Sequence, residues 1–166
     1  MCDRAKKYYS KCGTVLQAYM HRTINDIDIL GVPHSNIRIC KGAYKESENI
    51  AYQDYQKIRD NYLECAEKIM DKGIYVGLAT HDDWLIESLL DLIKRKKYKP
   101  NKYEFQALSG VPIDKRLESL ISEGHKVRYY VPYGPEWYAY SLRRMRENPD
   151  IWKDTLKAFF FRSSHR

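Results

Sequence analysis

The chain has 166 residues, of which 43% are hydrophobic and 31% charged, enough for one domain with a sizeable core and too apolar for intrinsic disorder. Its 29 Lys and Arg against 22 Asp and Glu leave a net charge of +7, which suits an anionic ligand, an acidic membrane surface or nucleic acid without choosing among them. No apolar stretch reaches the roughly 18–20 residues of a membrane span, and the N-terminus lacks the apolar run of a signal peptide. The cysteines Cys2, Cys12, Cys40 and Cys65 form no C-x-x-C pair, so no metal site is signalled and a reducing cytoplasm is the default compartment.

Five short runs rich in β-branched and aromatic residues read as buried strands: Thr14–Tyr19, Asn36–Lys41, Tyr75–Thr80, Tyr103–Leu108 and Val127–Val131. Their starts lie 22, 39, 28 and 24 residues apart. That spacing, with a helical pattern after each run, is what parallel β-α units produce, because a parallel crossover cannot be closed by a tight turn. Between the second and third strands, Ala51, Tyr55, Ile58, Tyr62, Ala66 and Ile69 form an apolar stripe that predicts a helix over Ala51–Asp71, stopped by Gly73. The pattern returns over Trp84–Lys94 through Leu85, Leu89 and Ile93, where the run Lys94 to Lys97 suits the negative end of a helix dipole. It returns again over Asp114–Glu123 through Leu117, Leu120 and Ile121, before Gly124. Gly134-Pro135 opens another helix, and a final amphipathic segment runs from Ile151 to Phe161. The chain is expected to be a single unit, with β-α units over residues 14–150 and a C-terminal helix over 151–166.

Polar residues gather where each strand gives way to its loop: Gln17, Lys41-Gly42-Ala43, Thr80-His81-Asp82, Gln106 to Ser109, and Tyr130 to Gly134. In parallel α/β folds this edge is where ligands bind. A lone Gln or Thr at a strand end is ordinarily solvated or capping, so the coincidence of five carries the inference. Arg38 lies inside the second strand on the face of Cys40, and an inward cation needs a partner, either a core carboxylate or an anionic or electron-rich ligand. Tyr140, Arg143, Arg144 and Glu147 fall at i, i+3, i+4 and i+7, on one helical face. The two guanidiniums either grip an anion in fork geometry or leave Arg143 in an ordinary surface pair with Glu147. His81 serves either as a base or as a hydrogen-bond anchor. No G-x-G-x-x-G or Walker motif occurs.

Taken in order, Val15-Leu16-Gln17-Ala18-Tyr19, Arg38 to Tyr44, Ala79-Thr80-His81-Asp82, Tyr103-Glu104-Phe105-Gln106, Val131-Pro132-Tyr133-Gly134, Trp137-Tyr138 and Arg143-Arg144 resemble proline dehydrogenase, the FAD-dependent enzyme that oxidises L-proline to Δ1-pyrroline-5-carboxylate. The resemblance implies an α/β fold, an incomplete (β/α)8 TIM-like barrel whose five units correspond to strands four to eight. By that similarity Gln17, Lys41, Gly42, Ala43, Thr80 and His81 hold FAD, and Arg38 faces the reactive part of the flavin. Arg143 and Arg144 clamp the proline carboxylate, Leu108, Tyr130 and Tyr140 line its pocket, and Glu147, grouped with the cofactor contacts, braces the arginine pair. The implied reaction moves a hydride from proline C5 to flavin N5, and the implied electron acceptor is a quinone reached at the inner face of the membrane.

The departures are equally definite. A full barrel needs eight units and about 250 residues, so the first three strands, with the family's strand-one lysine and strand-three aspartate, have no counterpart. Ser109 stands where the family usually has Tyr, and Pro112 where Arg is common. The expectation is a truncated chain with open edge strands and an apolar interior exposed to water; the alternatives are a second chain that carries the first three strands or two copies that associate to cover the edges. Its rival is an inactive, non-enzymatic remnant that binds no flavin. Nucleic-acid binding is disfavoured, because the basic residues form no stripe with interleaved aromatics.

Overall fold

The computed structural model describes residues 12–30, 36–44, 46–109, 114–131 and 133–135. Strands β1 (Gly13–Gln17), β2 (Asn36–Cys40), β3 (Tyr75–Ala79), β4 (Tyr103–Leu108) and β5 (Val127–Tyr130) make one sheet in the order β1-β2-β3-β4-β5, every neighbouring pair parallel. The helices between them are α1 (Thr23–Leu30), α2 (Tyr55–Asp71), α3 (Asp83–Lys96) and α4 (Asp114–Ser122), and a 3₁₀ turn at Pro100–Lys102 leads into β4. All five expected strands are present. The first is pared at its carboxyl end, although the N–H groups of Ala18 and Tyr19 still donate to the carbonyls of Cys40 and Lys41. The helices expected after Gly134-Pro135 and over Ile151–Phe161 lie outside the described residues, as do Tyr140, Arg143, Arg144 and Glu147.

Alternation along the strands separates two faces of the sheet. Leu16, Ile37, Ile39, Val76, Leu78, Phe105 and Ala107 point to the helices and are buried against Tyr62, Ala66 and Ile69 of α2 and Leu85 and Leu89 of α3. The opposite face carries Val15, Arg38, Glu104, Gln106 and Arg128, with Gly77 at its middle. The expected apolar interior is therefore corrected. Apart from Val15, 53% exposed, the centre of this face is polar, with Glu104 paired to Arg128 and Arg38 bonded to the Gln106 amide across strands.

Local chemistry explains the helix ends. The stripe that predicted a start at Ala51 overshoots by four residues, because Asp54 caps α2 by accepting from the N–H of Lys57 at 2.8 Å, while Ala51 bridges to Met20. Tyr55 consequently leaves the core and is exposed, as is Ile121 on α4. Gly73 and Gly124 end α2 and α4 with positive φ, each followed by a residue whose N–H reaches back to the last turn, Ile74 to Ile69 and His125 to Leu120. Lys96 at the end of α3 pairs with Glu67 of α2 at 2.7 Å, so the basic run closes a helix as its position suggested. Cys40 is half-buried on the polar face, whereas Cys65 is fully buried and burial pushes its thiol up to about 12.

Candidate functional site at the carboxyl ends of the strands

Two clusters form where β2, β3 and β4 hand over to their loops, and a third lies within the sheet. The first is built on Asp82, which follows β3 and caps α3. Its carboxylate accepts from both Nε and Nη2 of Arg59 (2.9 and 2.7 Å), from Lys41 Nζ (3.0 Å) and from the Tyr55 hydroxyl (2.7 Å), and it also takes the N–H of Leu85 at 3.4 Å. Burial pushes the Asp82 carboxyl up, but these donors outweigh it and hold the acid well below the usual carboxylate range. Arg59 is also stacked between the Tyr55 and Trp84 rings, 4.4 and 4.9 Å from their centroids. Sequence spacing marks neither Arg59 nor Trp84 as functional, because Asp82, the partner of Arg59, lies 23 residues away on another element and Trp84 meets Arg59 only through the fold.

The second cluster is His81. Its Nε2 accepts the backbone N–H of Leu108 at 2.8 Å, which ties the end of β3 to the end of β4 and puts the proton of the neutral ring on Nδ1. Burial, with the charges of Lys41 and Arg38, lowers its pKa. His81 is an anchor in this arrangement. Because its folded pKa is depressed, the unfolded chain binds the proton more readily, so the His81 contribution to stability is present above the ordinary histidine value of about 6.5 and drains away as pH falls below it. The urea midpoint should therefore fall between about pH 7 and pH 5, and His81→Gln, which keeps an acceptor for Leu108, should flatten that part of the profile. An unchanged slope in the variant would remove His81 as the cause.

The third cluster lies on the polar face of the sheet. Arg38 donates through Nε to Gln106 Oε1 at 2.8 Å, and among the described residues no carboxylate lies within ion-pair distance of it. Gln106 Nε2 donates to Glu104 Oε1 at 2.7 Å. The Glu104 carboxylate also accepts from Arg128 Nε and Nη2 (2.6 and 2.9 Å) and from the Tyr75 hydroxyl (2.8 Å). Burial raises the Glu104 pKa, and the donors Arg128, Gln106 and Tyr75 more than reverse it. Of the two partners left open for Arg38 by its sequence, a core carboxylate is not the one it meets among the described residues; a neutral amide stands beside it.

The remaining expected site residues stand around these clusters. The Thr80 hydroxyl accepts the N–H of Asp82 at 3.1 Å. Gly42, at φ +130°, lies against the Tyr19 ring, and Ala43 is exposed beside it. Gln17 is half-buried at the end of β1, where its carbonyl accepts from the Thr23 hydroxyl at 2.6 Å. Leu108 is half-buried and Tyr130 is 50% exposed, side by side in the β4–β5 register. The structure thus brings Arg38, Lys41, Thr80, His81 and Leu108 to one region, while the arginine pair falls outside the described residues.

The chain is thus a parallel α/β domain in which Lys41 and Arg59 converge on the carboxylate of Asp82 at the strand ends, the edge where such sheets take ligands, while Arg38 stands on the polar face beside Gln106. The sequence profile of the family described as Proline dehydrogenase matches residues 1–155. The chain belongs to the proline dehydrogenase family. It is 42% identical over 144 residues to Proline dehydrogenase 2 of Bacillus subtilis (strain 168), covering 87% of this chain and 47% of that relative. It is 38% identical over 137 residues to a proline dehydrogenase of Deinococcus radiodurans, covering 82% of this chain and 44% of that one. The chain spans about half the length of these curated relatives. Its fold is similar to that of proline utilization A from Bdellovibrio bacteriovorus inactivated by N-propargylglycine, with a TM-score of 0.72 at 20% identity over 87% of this chain and 18% of that structure. A bifunctional proline utilization A protein gives the same TM-score at 23% identity, over 89% and 17% of the two chains. Among the described residues no helix is long and apolar enough to cross a membrane.

Proposed function

We propose that this chain forms the mouth of an FAD-dependent proline dehydrogenase, oxidising L-proline to Δ1-pyrroline-5-carboxylate, with its sheet as strands four to eight of a TIM-like barrel. Family membership supports the reaction, and the observation that carries the site is Arg38, a guanidinium on the polar face with a neutral amide as partner. The donor chemistry fits a flavin nucleotide. Arg38 has a neutral amide and no carboxylate beside it among the described residues, neutral His81 has Nδ1–H left to donate, and Lys41 and Arg59 bring two cations to one carboxylate, a surplus of positive charge that would suit a pyrophosphate.

Gln17, Lys41, Gly42, Ala43, Thr80 and His81 would hold FAD, with Glu147 bracing the arginine pair beside it. The chemistry that FAD supplies when bound is acceptance at N5 of the hydride leaving proline C5. Arg143 and Arg144 would grip the proline carboxylate and fix its orientation, while Leu108, Tyr130 and Tyr140 would shape the pocket and exclude water. A quinone as the next electron acceptor and contact with the inner membrane face belong to the same proposal.

Purified chain supplied with FAD should show oxidised-flavin bands that bleach when L-proline is added without oxygen. Arg144→Ala should raise the proline concentration for half-bleaching about a hundredfold, the scale of a lost charge-assisted carboxylate contact. Absent bands would leave a remnant that binds no flavin, and an unchanged proline dependence would remove Arg144 from the carboxylate site.

A further inference from the structure

The network on the polar face has more order than sheet stability requires. An apolar face of the same volume would hold β2 to β5 together, and a half-satisfied polar network would be worse than none. Here every link is made, and each has a direction. The Glu104 carboxylate is acceptor-only and takes four hydrogen bonds, from Arg128 twice, from Tyr75 and from Gln106. That bond settles the Gln106 amide: its NH₂ must face Glu104, so its oxygen faces Arg38.

Arg38 and Gln106 sit on strands that are not neighbours, since β3 runs between them. The bridge exists because residue 77, paired with Arg38 in the β2–β3 register, is glycine. A Cβ there would fall 2.4 Å from Gln106 Nε2, so the amide lies in the space a side chain would take. With Nε committed to Gln106, the guanidinium plane is set, and its four remaining N–H groups stay with Nη1 and Nη2.

We propose that Glu104 and Gln106 are positioning residues for Arg38, an anion-anchored amide relay that crosses β3 over Gly77 and fixes the guanidinium without a carboxylate at its side. A direct Glu or Asp partner would hold Arg38 as well but would cancel the charge that it presents at the mouth. The amide transmits the anchoring of Glu104 and leaves the charge in place, while Arg128, whose side chain is 65% exposed, balances Glu104 from the other side. The assignment rests on the FAD site proposed above for its use, though not for its geometry.

The test compares the unchanged chain with Gln106→Met, which keeps length and loses the acceptor, and Gly77→Ala, which leaves every relay residue but fills its space. The first readout is solvent exchange of the Arg38 Nε–H by nitrogen-15 NMR, without flavin. It should quicken roughly tenfold in both variants, the scale of one lost hydrogen bond. The second is the midpoint potential of bound FAD, which should turn more negative, because a wandering cation stabilises the electron-rich reduced flavin less. Unchanged exchange overturns the relay. Faster exchange with an unchanged potential overturns its functional part. A chain that takes up no FAD defeats the flavin site itself, while the exchange measurement still decides the geometry.

Discussion

Asp82→Ala should destabilise the chain by about 2–3 kcal/mol and lower its thermal midpoint by roughly 5–10 °C. The carboxylate does three things at once. It caps α3, and losing a cap of this kind costs about 1 kcal/mol. It neutralises Arg59 and Lys41, whose side chains are 21% and 28% exposed, so they are left unpaired but still reached by water, and their loss is smaller than that of a sealed ion pair. It also orients Tyr55, whose ring in turn receives Arg59. Asp82→Asn keeps an oxygen for the Leu85 N–H and should lose about half as much, whereas Asp83→Asn, next door and exposed, should stay within about 0.5 kcal/mol. Because its folded pKa is depressed, the contribution of Asp82 is complete above the ordinary aspartate value of about 3.9 and is lost as pH falls below it. The difference between the parent and Asp82→Ala should therefore be constant from about pH 5 to pH 8 and shrink in acid. A variant equal in stability to the parent at pH 7 would show that the cluster contributes nothing to the fold.

The sheet was legible because β-branched runs such as Asn36 to Lys41 and Tyr75 to Thr80 recur at crossover spacing, and because burying one face imposes a period of two. Helix ends were legible where a glycine fixes them, as at Gly73 and Gly124, and misread at Ala51, where apolarity continued past the true cap at Asp54. Arg38 announced itself as a cation among apolar neighbours. Its partner did not. Gln106 read as one more polar residue at a strand end, and Glu104 as one of 22 acids, since a buried carboxylate has no local signature until the strands beside it are placed. Arg59 was hidden for the opposite reason: in the run Lys57-Ile58-Arg59-Asp60 on a helix it looks like solvated surface, and only the fold sets it between Tyr55 and Trp84. Tyr55 shows how period alone misleads, because it keeps the apolar phase of α2 yet serves the mouth rather than the core.

Gly42→Ala should cost about 2–4 kcal/mol, well above the roughly 1 kcal/mol expected of Gly73→Ala, although both glycines have positive φ. The difference is steric. At Gly73 an added Cβ meets nothing within 4 Å, so only the backbone conformation, φ +69°, resists the change. At Gly42, φ is +130° and the Cβ would fall 2.3 Å from Cδ1 of Tyr19, far inside contact distance. The ring cannot swing aside cheaply. Tyr19 is 6% exposed, its N–H is held by Lys41 and its carbonyl takes the N–H of Tyr52, both at 2.8 Å, so its backbone is fixed on two sides. The segment after β2 must give way instead, carrying Lys41 from Asp82 and opening the edge where the proposed FAD contacts lie. Chemical denaturation of the single variants and of Tyr19→Ala with Gly42→Ala separates the two effects, because without the ring only the backbone penalty of about 1 kcal/mol should remain. Strict additivity of the pair would mean that the Tyr19 ring is not what reserves this position for glycine.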